Sequence, residues 1–139
     1  MQSSANVILF LLGALIGLSI GTLIGAVFLR LATRLAAGFT PGFGRAYAVV
    51  FMSGLASFGI GFVIGYYARF IALTPGIAMA LAWGLSLLLQ WAFISNLLRY
   101  SDGRKLGYGK GLLTLLVLLA VFAVIAGIIY VVIQMLGGL

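Results

Sequence analysis

The sequence contains no cysteine, no histidine and no glutamate, and Asp102 is its only acidic residue. These absences exclude thiolate nucleophiles, imidazole bases and paired catalytic carboxylates. They also leave no set of side chains suited to binding zinc or iron. We therefore predict that the protein is not an enzyme and that it holds no metal and no other cofactor.

Charged residues are scarce as well. They make up 6% of the chain, whereas 65% of the residues are apolar and the mean hydropathy is +1.33. A soluble domain carries about 25% charged residues. The composition therefore predicts that most of this chain is dissolved in lipid.

Four uncharged runs each reach the roughly 20 residues that a membrane-spanning helix needs. They are Val7–Leu29, Ala46–Ala68, Pro75–Leu98 and Gly111–Leu136. The three links between them are too short for a soluble domain and favour antiparallel neighbours. We predict an all-α polytopic membrane protein with four transmembrane helices, in which residues 1–139 form a single membrane domain.

Several residues in the links are typical of helix ends. Thr40-Pro41 and Thr74-Pro75 each predict an N-cap followed by proline at the first helical position. Gly38 predicts a stop for a first helix that continues to Ala37, and Ser101-Asp102-Gly103 predicts a turn.

The lysines and arginines are unevenly distributed. The links between the apolar runs are link 1 (residues 30–45), link 2 (69–74) and link 3 (99–110). Link 2 holds only Arg69, whereas links 1 and 3 hold the other seven cations, which we call the basic collar: Arg30, Arg34, Arg45, Arg99, Arg104, Lys105 and Lys110. The positive-inside rule then places links 1 and 3 in the cytoplasm and both termini outside. A bacterial inner membrane is the default location. The collar either only sets the orientation of the chain in the membrane or also contacts anionic lipid headgroups.

A shift of 65 residues aligns the two halves of the chain without a gap. Residues 42–46 (GFGRA) then fall on 107–111 (GYGKG), Arg34 falls on Arg99, and Gly38 falls on Gly103. The match predicts a tandem duplication of a two-helix hairpin, with repeats at 7–69 and 72–134. Chance is the alternative, because membrane sequences use few residue types.

Small residues recur every four positions on three of the predicted helices. They are Gly13, Gly17, Gly21 and Gly25, then Ser53, Ser57, Gly61 and Gly65, then Gly76, Ala80 and Gly84. Such spacing lets two backbones approach closely within a bilayer, where apolar burial supplies no driving force. The stripes either bury one another within one bundle or leave a face for another chain. We expect at least one interface with another chain.

Gln90 is the most notable polar residue at membrane depth, about 13 Å along the helix from Arg99. Its amide needs partners, because an unsatisfied polar group in hydrocarbon costs several kcal/mol. An intramembrane hydrogen bond between helices is the simpler interpretation, and a pore-lining position is the alternative.

These patterns combine abundant close-packing residues with no catalytic chemistry. They predict a structural or assembly subunit that packs through its small-residue faces with itself, as a homo-oligomer, or with a larger membrane complex. The alternative is a small oligomeric channel or facilitator for a neutral or anionic solute. Nucleic acid is not an expected partner, because the collar lies at the predicted bilayer surface.

Overall fold

The computed structural model describes residues 2–68, 70 and 73–137. These residues form four helices: α1 (Gln2–Ala37), α2 (Phe43–Ala68), α3 (Pro75–Leu97) and α4 (Tyr108–Gly137). Each helix is long and apolar enough to cross a membrane, which confirms an all-helical chain with four candidate spans. Arg69, the only cation predicted for link 2, lies outside the described residues.

The helices form a ring in which neighbours in sequence are also neighbours in space. α1 packs against α2 and α4, and α3 packs against the same two helices. α1 and α3 therefore lie diagonally opposite each other. Short links favour this order, since consecutive helices can only fold back beside one another.

The first helix ends where the sequence predicts. Gly38 has a φ of 77°, and its N–H donates to the Arg34 carbonyl at 3.1 Å. This bond is the one expected of a glycine C′ residue in the left-handed conformation. Thr74 and Pro75 also occupy the predicted N-cap and first helical position of α3.

One helix start differs from the prediction, and another lies before its apolar run. α2 begins at Phe43, after Pro41, because the Gly42 carbonyl accepts the first helical bond, from the Ala46 N–H at 3.1 Å. Glycine is a favourable N-cap residue, so a start at this point is stable. α4 begins at Tyr108, three residues before the apolar run, because helical bonding continues into the more polar first turn. An apolar run marks only the part of a helix that suits lipid.

The buried side chains lie at one end of the bundle, which we call the packed half. It comprises the ends of α1 and α3, the starts of α2 and α4, and links 1 and 3. Its fully buried residues include Leu29, Val49, Ile94, Leu98 and Thr114. In the opposite, open half, large side chains are exposed, such as Phe62 at 70% and Trp83 at 69%.

Several positions 65 residues apart have equivalent structures. α2 starts at Phe43 and α4 at Tyr108, and Gly38 and Gly103 both have positive φ. The Gly107 carbonyl accepts from the Gly111 N–H at 2.8 Å, as Gly42 does from Ala46.

The two links nevertheless adopt different conformations. α1 remains helical to Ala37, whereas the equivalent residues after Leu97 form a small hairpin, closed by a bridge between Arg99 and Lys105. Gly103 has a φ of 84° and donates to the Tyr100 carbonyl at 3.0 Å, which confirms the predicted turn. Link 1 carries Ala36-Ala37 before its glycine and link 3 carries Ser101-Asp102. Alanine favours helix while serine and aspartate favour turns, so local preference explains the difference.

Candidate functional site

The glycine stripe of α1 turns from the outside of the bundle towards α2. An added Cβ would meet no atom within 4 Å at Gly13, Gly17 or Gly21, but would lie 2.8 Å from Val50 Cγ1 at Gly25. Each four-residue step advances about 40° around a helix of 3.6 residues per turn. Three steps therefore rotate the stripe by about 120°, and only its last member faces the bundle.

The small residues of α2 and α3 follow the same pattern. Ser53 is buried in the packed half and Ser57 is half-buried. At Gly61, Gly65, Gly76 and Gly84 an added Cβ would meet no atom within 4 Å, and Ala80 is exposed. Within this chain the stripes of α1 and α2 therefore do not bury each other along their length.

Close helix approaches occur at two glycines that the stripe pattern did not indicate. At Gly54, an added Cβ would lie 2.8 Å from Leu18 Cδ1. At Gly111, it would overlap the Ser95 hydroxyl and lie 3.1 Å from the Ser95 Cα. The second approach brings the backbones of α3 and α4 together. Gly111 aligns with Ala46 in the 65-residue register, and both positions are buried in the structure.

A cavity of about 370 Å³ lies between α2 and α3 in the open half. Its walls are Ser57, Gly61, Ala82, Trp83, Ser86 and Leu87. The two tryptophans of α3 lie in different environments. Trp83 borders this cavity and is largely exposed, whereas Trp91 is half-buried against the core.

The buried hydroxyl groups bond within their own helices. Thr22, Thr33, Ser53, Ser95 and Thr114 each donate to the carbonyl four residues earlier, at 2.6–2.9 Å. A hydroxyl bonded in this way satisfies its donor without a neighbouring helix. These five side chains therefore do not form an interhelical polar network in the described structure.

Gln90 is half-buried and, among the described residues, its amide makes no hydrogen bond. The expected bond from Gln90 to a neighbouring helix is thus absent from this part of the chain. Trp91, the next residue, makes such a bond instead. Its indole N–H donates to the Tyr108 carbonyl at 2.9 Å, and the two rings meet edge-on at 5.5 Å.

The collar residues fall into different environments. Arg30 is half-buried, and its Nε donates to the Pro41 carbonyl at 3.0 Å, so this side chain fastens link 1 to α1. Arg34, Arg45, Arg99, Lys105 and Lys110 are exposed. Arg45 and Arg99 line one cavity between α2 and α3.

The link 3 hairpin contains the chain's only acidic side chain. The Arg104 backbone N–H and guanidinium both donate to Asp102, at 3.0 and 2.6 Å, and hold the pKa of its carboxyl below the usual range. The Arg104 guanidinium also lies 5.9 Å from the centre of the Tyr100 ring. Tyr100 in turn packs on Phe39 at 4.5 Å, which joins links 1 and 3.

Comparisons with protein-family models, with curated proteins and with solved structures found no match to this chain. No function is transferred to it from another protein.

Proposed function

We propose that this chain is an integral membrane protein of four spans that arose by tandem duplication of a two-helix hairpin. Four long apolar helices support the membrane placement. The shared starts of α2 and α4 and the positive φ at Gly38 and Gly103 support the duplication. Because each copy contains two spans, the copies have the same orientation and are related by an axis along the membrane normal.

The unequal distribution of cations sets the orientation. Links 1 and 3 lie in the cytoplasm, and both termini lie outside, because the positive-inside rule applies most strongly to short links. The packed half then occupies the cytoplasmic side of the bilayer. A bacterial inner membrane is the expected location.

A reporter fused after Leu139 tests this orientation. We expect alkaline phosphatase to be active at this position and green fluorescent protein to be dark, since the first folds outside the cytoplasm and the second inside. A fusion within link 3, after Asp102, is the matched control and should give the opposite pair of signals. A fluorescent C-terminal fusion would overturn the orientation.

The function we propose is that of a non-enzymatic assembly subunit, and its partner is a second copy of the chain. One observation carries this proposal: at the stripe glycines of the open half, an added Cβ would meet no atom of the described chain within 4 Å. Glycines that pack against nothing weaken a helix, since they cost about 1 kcal/mol each relative to alanine. A second helix that approaches closely along them offsets that cost.

The stripe of α1 suits contact with a copy of itself. Gly13, Gly17 and Gly21 present three small residues in a row on the outside of the bundle. Two such stripes form a self-complementary contact across a twofold axis, with a right-handed crossing near −40°. A homo-oligomer therefore needs no second kind of surface.

Native mass spectrometry of the protein extracted gently from its own membrane tests the proposal. We expect a single species at a multiple of 14.6 kDa, and no solute flux when that species is placed in liposomes. Co-extraction with larger, unrelated subunits would overturn the self-association and identify an accessory role in another complex. A monomer at every detergent concentration would overturn assembly altogether.

A small channel or facilitator is the second candidate. Ser57 and Ser86 share the 370 Å³ cavity of the open half, and Gln90 lies one turn beyond Ser86 on α3. An oligomer could place these polar groups along one wet path. Flux that Gln90→Leu abolishes while assembly is intact would establish this function instead.

A further inference from the structure

A second cavity between α2 and α3 lies in the packed half, beside the links. It has a volume of about 260 Å³ and is lined by Arg45, Ala48, Val49, Leu97 and Arg99, and we call it the α2–α3 cleft. Two guanidinium groups and three aliphatic side chains share its wall. A ligand that fits these walls carries an anion next to a hydrocarbon segment.

Arg45 and Arg99 each lie next to a fully buried residue, which holds the local backbone in place. Arg45 lies in the first turn of α2, next to the fully buried Ala46. Arg99 follows the fully buried Leu98, and its own backbone is paired with Lys105 in the link 3 hairpin. The backbone that carries both arginines is therefore held in place by contacts within the chain.

The chain cannot neutralise these two cations itself. It has eight lysines and arginines but one acidic side chain, and Asp102 is bound by Arg104 at 2.6 Å. Two guanidinium groups at one cavity repel each other unless an anion lies between them. Arginine is suited to phosphate, because its planar fork donates two parallel hydrogen bonds.

The equivalent position on the α1–α4 side of the bundle carries different side chains, which makes it a suitable control. In the 65-residue register, Arg99 aligns with Arg34 and Arg45 aligns with Lys110. Leu113 and Thr114 replace Ala48 and Val49, and Ala32 replaces Leu97. The α1–α4 side thus carries the same charge, but a lysine replaces one guanidinium and a leucine replaces the small alanine.

We infer that the α2–α3 cleft binds the phosphate of one anionic lipid, with Arg45 and Arg99 on the phosphate and Ala48, Val49 and Leu97 against the adjoining glycerol and acyl carbons. Both arginines lie where the apolar helices meet the links, which is the level of the headgroups in a bilayer. This inference rests on the proposed membrane placement but not on self-association. The ligand is counted per chain, whatever the oligomeric state.

The test is native mass spectrometry of the purified full chain with added dioleoyl phosphatidylglycerol. We expect one retained lipid per chain, and roughly 25-fold weaker binding after Arg45→Gln with Arg99→Gln, since each cation near an anionic headgroup contributes about fivefold. The matched control, Arg34→Gln with Lys110→Gln, removes the same charge and should change binding by less than about threefold. Equal losses in the two pairs would overturn the inference in favour of an unspecific basic surface.

A second variant keeps all charges in place. Ala48→Leu introduces the residue that the α1–α4 side carries at Leu113, and Ala48 is exposed, so the bundle tolerates the larger side chain. We expect it to fill the cleft and reduce lipid retention as strongly as the double arginine variant. Unchanged retention would overturn the cleft as the binding site.

Two further probes identify the source of the phosphate. Dioleoyl phosphatidylcholine should bind much less tightly, because its choline cation cancels the attraction, and inorganic phosphate should not displace the anionic lipid. Displacement by inorganic phosphate would overturn the lipid in favour of a soluble anion. If the chain is washed from membranes at alkaline pH, the membrane placement itself fails; an inserted chain that retains no lipid overturns this inference alone.

Discussion

Gly111→Val is expected to lower the unfolding temperature in detergent by about 10 °C and the stability of the packed half by roughly 3 kcal/mol. The new Cβ would overlap the Ser95 hydroxyl and lie 3.1 Å from the Ser95 Cα. The hydroxyl is one rotatable atom, but the Cα belongs to α3, so the two helices must separate. Circular dichroism during heating measures the loss.

Gly109→Val is the matched control for this prediction. Gly109 lies in the same first turn of α4, and an added Cβ there meets no atom within 4 Å. Any effect of valine on helix propensity is therefore common to both variants. Ser95→Gly should restore part of the stability lost in Gly111→Val, since it removes the hydroxyl but leaves the α3 backbone close to the new side chain. Identical melting of the two valine variants would show that α3 and α4 do not pack through Gly111.

Gly17→Leu is expected to weaken self-association at least about tenfold while it leaves the unfolding temperature of the single chain unchanged. An added Cβ at this position would meet no atom within 4 Å, so we expect the effect of the leucine to fall on a helix that approaches from outside. The oligomeric fraction, measured by native mass spectrometry across a detergent dilution series, reports the change. Ile16→Leu, at an exposed neighbouring position, controls for the addition of leucine to α1.

Gly25→Leu separates assembly from folding on the same stripe. Its Cβ would lie 2.8 Å from Val50 Cγ1, so this variant should destabilise the packing of α1 on α2 within the chain. Stable oligomers of Gly17→Leu, or equal melting of Gly17→Leu and Gly25→Leu, would contradict the division of the stripe into an outer part and an inner part.

Helix number and several ends followed from sequence because local chemistry determines them. Gly38 stops α1 by its own backbone conformation, and Thr74-Pro75 starts α3 in the same local way. The start of α2 was misplaced because Thr40-Pro41 resembles a helix start, whereas the first helical bond is accepted by the Gly42 carbonyl. The start of α4 was not predicted from its apolar run, because hydropathy reports solvation and a helix continues as long as its backbone bonds are made. The hairpin of link 3 was predicted only as a turn, since its pairing joins residues six positions apart.

Packing was harder to predict than secondary structure. A four-residue spacing identifies which residues are small, but it drifts around the helix and does not determine which of them face a neighbour. Gly25 faces α2 whereas Gly17 does not, although both belong to one stripe. The close approach of α3 and α4 at Gly111 has no spacing signal at all, because it depends on where Ser95 lies on another helix. The α2–α3 cleft likewise joins Arg45 and Arg99, which are 54 positions apart in sequence.

The buried hydroxyl groups bond to carbonyls of their own helices, and this affects how the bundle can rearrange. Thr22 and Ser53 bond to carbonyls of their own helices, and the described open half contains no hydrogen bond from one helix to another. Parting two helices there breaks only dispersion contacts, which a helix from any other chain can replace in kind. A neighbouring copy can therefore exchange a helix with the open half of this bundle without breaking a hydrogen bond between helices. The Trp91–Tyr108 bond and the link 3 hairpin hold the other end in place, so such an exchange would begin at the open half and pivot about the packed one.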